Sequence, residues 1–138
     1  IDNLNLPGAC LMIPRAVLEK IGGWDENFWI WMEDVDICWQ IKKAGHQLFY
    51  LAEAEIIHLG GQSFAQWNDF EKIYNFRLSY LKYFRKNKGK LQAWSVKWLF
   101  ILNGLILILP LLFFGFFAKK YWRKSASFWR FIKKFSQQ

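Results

Sequence analysis

A chain of 138 residues, 54% of them apolar, holds one modest domain with at most an appendage. Its net charge of +8 hides a division: residues 1–71 carry four Lys or Arg against eleven Asp or Glu, a net −7, whereas residues 72–138 carry fifteen Lys or Arg and no acid. Two regions with different partners are expected, and the two cysteines, Cys10 and Cys38, lack the spacing of a metal centre or redox pair. Both are expected to be buried free thiols in a reducing compartment. The chain opens on Ile1 with neither an initiator Met nor a signal peptide, so it is expected to be part of a longer one.

In chain order, the apolar run Leu11-Met12-Ile13, closed by Pro14, reads as a short buried strand. Arg15 to Ile21 reads as a short helix, with Val17, Leu18 and Ile21 at helical spacing and Gly22-Gly23 as its stop. Trp24 to Trp31 is an aromatic loop without a period. From about Asp34 to Ala44 a second helix is predicted, with Ile37, Cys38, Ile41 and Ala44 on one face and Lys42 and Lys43 in its last turn. His46 to Leu51 and Glu55 to His58 read as two short strands ended by Gly60-Gly61. Helices alternating with short strands predict an α/β domain with helices packed on a sheet.

After Gln62 the character changes. Phe64 to about Lys86 reads as a long amphipathic helix whose apolar face would hold Phe70, Ile73, Phe76, Tyr80, Leu81 and Phe84, and Asn87 to Lys90 breaks it. Trp98 to Ala118 follows, twenty-one residues without a charge. A buried core helix, a membrane-spanning helix and a re-entrant hairpin divided at Pro110 are the three readings of this run. Basic residues crowd both flanks, which one spanning helix does not satisfy, so membrane association is expected with its topology open. Ser125 to Phe135, with Phe128, Trp129, Ile132 and Phe135 at helical spacing, is expected to lie as an interfacial helix on anionic lipid. Nucleic acid is not an expected partner, because the positive charges flank a lipid-length apolar run instead of tracking a groove.

Glu33-Asp34-Val35-Asp36 places three carboxylates in four residues, which repel one another unless something compensates. A helix N-terminus does so in part. The functional alternative is that one carboxylate accepts a proton or holds a cation. The nearby Trp29, Trp31 and Trp39 offer flat faces that suit sugar rings and equally suit a core. His58, at a predicted strand end before Gly60-Gly61, is a second candidate. His46 is expected to be structural.

Four segments together carry a family likeness: Gly8-Ala9-Cys10-Leu11-Met12-Ile13-Pro14-Arg15, Ile21 to Phe28, Glu33 to Cys38, and His58-Leu59-Gly60-Gly61-Gln62-Ser63. In order and spacing they resemble the C-terminal half of the family 2 glycosyltransferases, in particular the bacterial rhamnosyltransferase-like members, over about residues 6–90. The resemblance implies an inverting transferase of the GT-A fold that moves rhamnose or a similar sugar from a nucleotide-sugar donor to a glycan or polyprenyl-lipid-linked acceptor in surface-polysaccharide synthesis. It also implies a divalent cation, Mg or Mn, at the leaving diphosphate. Asp34 would be the catalytic base and His58 a cation ligand; Gly8, Ala9 and Cys10 would lie near the donor sugar. Trp31, Glu33 and Asp36 would line or orient the site.

Residues 1–63 would then be the acceptor side of the catalytic domain and 64–90 a helix closing it. Residues 91–138 would be an all-α membrane-associated tail, its apolar run at 98–118 and its basic interfacial part at 119–138, on the cytoplasmic face of the plasma membrane. The resemblance places the donor-binding half, with its own Asp-x-Asp metal motif, upstream of the matched segments, so the chain alone is expected to be inactive. The competing reading is a non-catalytic membrane-associated remnant that binds a glycan or a protein partner.

Overall fold

The computed structural model describes residues 5–62, 65–115, 129–130 and 132–135, in two compact units, Ile1–Ala65 and Gln66–Gln138. In the first unit, helix α1 (Arg15–Ile21) ends where Gly22 takes φ 82° and the Gly23 N–H donates to the Leu18 carbonyl at 2.9 Å, a left-handed stop that a Cβ would oppose. Helix α2 (Glu33–Lys43) begins with Glu33, Asp34 and Asp36 in its first turn and ends with Lys42 and Lys43, both in accord with the helix dipole. Ile37, Cys38 and Ile41 are the buried centre of this unit. Val17, Leu18 and Ile21 of α1, with Leu6, Leu11, Ile13 and Leu48, close over them.

The three expected strands do not form: among the described residues all regular structure is helical. Leu11, Ile13 and Leu48 do turn inward, but Phe49, Tyr50, Leu51, Ile56 and Ile57 are exposed. Alternation selects the face a segment buries, whereas a ladder needs a neighbour to take up its N–H and C=O groups, and no such neighbour lies among the described residues. The α/β expectation is therefore not met there.

In the second unit, helix α3 (Asp69–Asn87) starts five residues later than predicted, because Asn68 caps it. The Asn68 side chain accepts from the Glu71 N–H at 2.9 Å, and the Glu71 carboxylate accepts from the Asn68 N–H at 2.9 Å. A short turn through Gly89, at φ 101°, leads into helix α4 (Lys90–Gly115), which packs back on α3. Tyr74, Leu81, Ala93, Ile101 and Phe135 form the core, flanked by Phe70, Leu78, Phe84, Phe100 and Ile132. Phe76, expected on the apolar face of α3, is 42% exposed, and Tyr74 is buried instead. Arg77 ties the two helices together: it donates to the Phe100 carbonyl at 3.3 Å and to Asn103 Oδ1 at 2.7 Å, and its guanidinium stands 5.1 Å from the centre of the Phe100 ring.

Of the three readings of the apolar run, the hairpin divided at Pro110 is not formed: helix α4 runs unbroken past Pro110. The apolar side of the tail is turned in part to the core of this unit. Phe135 is fully buried, its ring 6.0 Å from that of Phe100, and Ile132 packs beside it; Lys134 Nζ stands 4.4 Å over the Tyr74 ring. Trp129 is exposed, while Phe128 and Ala118 lie outside the described residues. Among the described residues no helix is long and apolar enough to cross a membrane.

Candidate active site

The start of α2 gathers the chemistry-bearing residues of the first unit. Asp34 stands in the first turn with both carboxylate oxygens engaged: Oδ2 accepts from the Gly8 N–H at 3.1 Å and Oδ1 from the Val35 N–H at 2.8 Å. The first bond joins residues 26 apart and brings the Gly8 segment onto the acidic helix start. A Cβ on residue 8 would stand 3.3 Å from Asp34 Cβ, closer than side chains ordinarily pack, so the glycine is what lets the backbone approach.

The same segment is fastened one helical turn further along. Cys38, fully buried, accepts from the Leu6 N–H at 3.4 Å and donates its thiol to the Leu6 carbonyl at 3.7 Å. Burial pushes the Cys38 thiol above its ordinary range, partly offset by the Leu6 bond. Read from the sequence as one of two buried thiols, Cys38 is so, and it also holds the Gly8 loop; Cys10, by contrast, is exposed. The only sequence signal for this role is that Cys38 follows Asp34 by four, which places both on one face of α2.

The chain enters α2 through two consecutive non-glycine residues in the left-handed region, Trp31 at φ 58° and Met32 at φ 68°, and Met32 caps the helix without a side-chain hydrogen bond. Each such conformation costs on the order of 1–3 kcal/mol and persists only where the surroundings enforce it, most often at functional sites. Glu33 Oε2 is buried without a hydrogen-bond partner beside this entry. Asp36 is 3% exposed, its N–H bonded to the Met32 carbonyl at 2.8 Å.

Of the residues singled out in the sequence, the structure thus brings Gly8 to Asp34 and sets Trp31, Glu33 and Asp36 around the same helix start. Ala9 and Cys10 follow Gly8 at the surface. His58 is exposed, its carbonyl accepting from the Gly60 N–H at 3.0 Å. Among the described residues no three His, Cys, Asp or Glu side chains converge as they would around a metal ion. His46, expected to be structural, has its Nε2 buried without a hydrogen-bond partner.

The arrangement presents one oriented carboxylate at a helix start, beside a glycine loop and among exposed aromatic residues such as Trp29 and Trp24. A family model described as "Glycosyltransferase like family 2" matches residues 3–73, which take in the Gly8 loop, α2 and His58. Two curated proteins, from two strains of Mycobacterium tuberculosis, each named N-acetylglucosaminyl-diphospho-decaprenol L-rhamnosyltransferase, are 40% identical to the chain over 53 residues. That match covers 38% of this chain and 17% of each relative, so the chain spans only a small part of their length. No solved structure matches the chain. Because the family model takes in more than half of the sequence, including every residue of the oriented carboxylate site, the chain belongs to the family 2 glycosyltransferases.

Proposed function

We propose that the chain supplies the acceptor side and the catalytic base of an inverting sugar transferase of the GT-A fold. The observation that carries this reading is the Asp34 carboxylate, fixed by the Gly8 N–H at the strained entry to α2. Asp34 accepts the proton of an acceptor hydroxyl as that oxygen bonds to the anomeric carbon. The bond from that carbon to the phosphate oxygen breaks on the opposite face, and the nucleoside diphosphate leaves with the electron pair. The donor is a nucleotide-sugar, with rhamnose or a similar sugar suggested by the names of the relatives. The acceptor is a glycan or a polyprenyl-lipid-linked glycan of the cell envelope, met at the cytoplasmic face of the plasma membrane.

This reaction class draws on a divalent cation, Mg or Mn, to offset charge on the departing diphosphate. His58 is the ligand this chain is proposed to lend; the remaining ligands would come from outside the described residues.

The test is Asp34→Asn in an active family 2 transferase that carries this segment. The amide keeps an oxygen for the Gly8 N–H, so folding and donor binding should persist, while turnover falls by about 10²–10⁴. Unchanged turnover would show that Asp34 is not the base, and would favour the reading in which the segment binds glycan without catalysis.

A further inference from the structure

Helix α4 is two-faced. Ala93, Ile101 and Gly104 are buried on the side packed against α3, and the opposite side is a stripe of large apolar residues facing outward. Leu91, Trp94, Trp98, Leu102, Leu105 and Ile106 are each between 40% and 72% exposed. The one hydroxyl within the stripe, that of Ser95, is turned back to donate to the Leu91 carbonyl at 3.1 Å, so it adds no free polar group. Trp94 and Trp98 stand edge to face at 5.9 Å near the start of the stripe. Beside them, at the end of α3 and the turn into α4, lie Lys82, Arg85, Lys86, Lys88 and Lys90, all exposed, and no Asp or Glu follows Glu71 in the sequence.

We propose that this outer face of α4 is the surface by which the protein docks on an anionic lipid bilayer. A contiguous apolar stripe of this kind in water marks a partner. Tryptophans at one end, bordered by a cation-rich turn, match the order of acyl chain, interface and anionic headgroup met on entering a bilayer. Ile132 and Phe135 of the tail are engaged in the core of the same unit and are not open to lipid. The inference deepens the membrane placement given above, and it does not depend on sugar transfer: a chain that binds vesicles yet fails to transfer leaves it standing.

The experiment is sedimentation of the purified 138-residue chain with extruded vesicles of phosphatidylcholine, with and without about 30% phosphatidylglycerol. Binding should require the anionic lipid and weaken in high salt. Trp98→Glu with Leu102→Glu should lower it at least about tenfold, while Ile57→Glu, 93% exposed in the other unit, should leave it unchanged. As a check that does not disturb folding, lipids brominated on the acyl chain should quench tryptophan emission in the parent and quench it less in Trp94→Phe with Trp98→Phe. Equal binding by the double glutamate variant, equal quenching after the phenylalanine changes, or self-association through α4 without vesicle binding would each overturn the proposal.

Discussion

Asp34 takes hydrogen bonds from two backbone N–H groups, one its own neighbour and one 26 residues away, and only the second can be adjusted without altering α2. Gly8→Ala places a methyl 3.3 Å from Asp34 Cβ, so the loop has to give by a few tenths of an ångström and the bond to Oδ2 lengthens. Turnover should fall about tenfold, because the carboxylate loses the geometry that the Gly8 bond fixes. Steady-state kinetics of an active transferase carrying this segment check this. Cys38 gives a second, pH-dependent prediction. Its thiol is pushed up by burial, so at pH values above the unfolded thiol range, about 8.5, the unfolded chain has lost a proton that the folded one keeps. Its contribution to stability is therefore complete below that range and is lost as pH rises through the folded value. Urea midpoints should fall between neutral and alkaline pH more steeply in the parent than in Cys38→Ala. At neutral pH, Cys10 should react with a thiol reagent in the folded chain and Cys38 only after denaturation.

At the scale of elements, what was legible follows from which forces are local. α1, α2 and most of α3 could be placed from the sequence, because helical spacing, dipole-matched charges at α2 and the Gly22 stop all act within a few residues. The Asn68 and Glu71 capping box was equally local, and attention to it would have moved the start of α3 from Phe64 to Asp69. The strands at 11–13, 46–51 and 55–58 were not decidable, since their hydrogen-bond partners must come from elsewhere in a chain. The period of the tail announced an apolar face at Ile132 and Phe135 but not whether protein or lipid would cover it. The site shows the same split. The residue types of Glu33 to Asp36 were visible, but the long-range Gly8 bond was not; nor were the left-handed Trp31 and Met32, which carry no glycine or asparagine to signal them. The capping box is itself testable: Asn68→Ala should destabilise the second unit by about 1 kcal/mol. For a unit of this size that lowers its thermal midpoint by roughly 4–8 °C, measurable by circular dichroism.

Acidic residues end at Glu71 and fifteen basic ones follow, so the charge pattern sets the proposed sugar chemistry and the proposed lipid attraction in different stretches of one chain. The first stretch contains the proposed base with the loop that orients it, yet no convergent metal ligands among the described residues. The segment shared with the rhamnosyltransferases amounts to 17% of their length. A carboxylate alone offers a diphosphate nothing but repulsion, and transfer needs the leaving group's charge to be offset. The 138-residue chain by itself should therefore release no nucleoside diphosphate from nucleotide-sugars and give no heat of binding with them in calorimetry, with or without Mg or Mn. Joined to a donor-binding half of the family, the segment should do both, and should lose turnover but not donor binding on Asp34→Asn. Transfer by the short chain would place the donor pocket within these residues and overturn the division of labour proposed for Asp34 and His58.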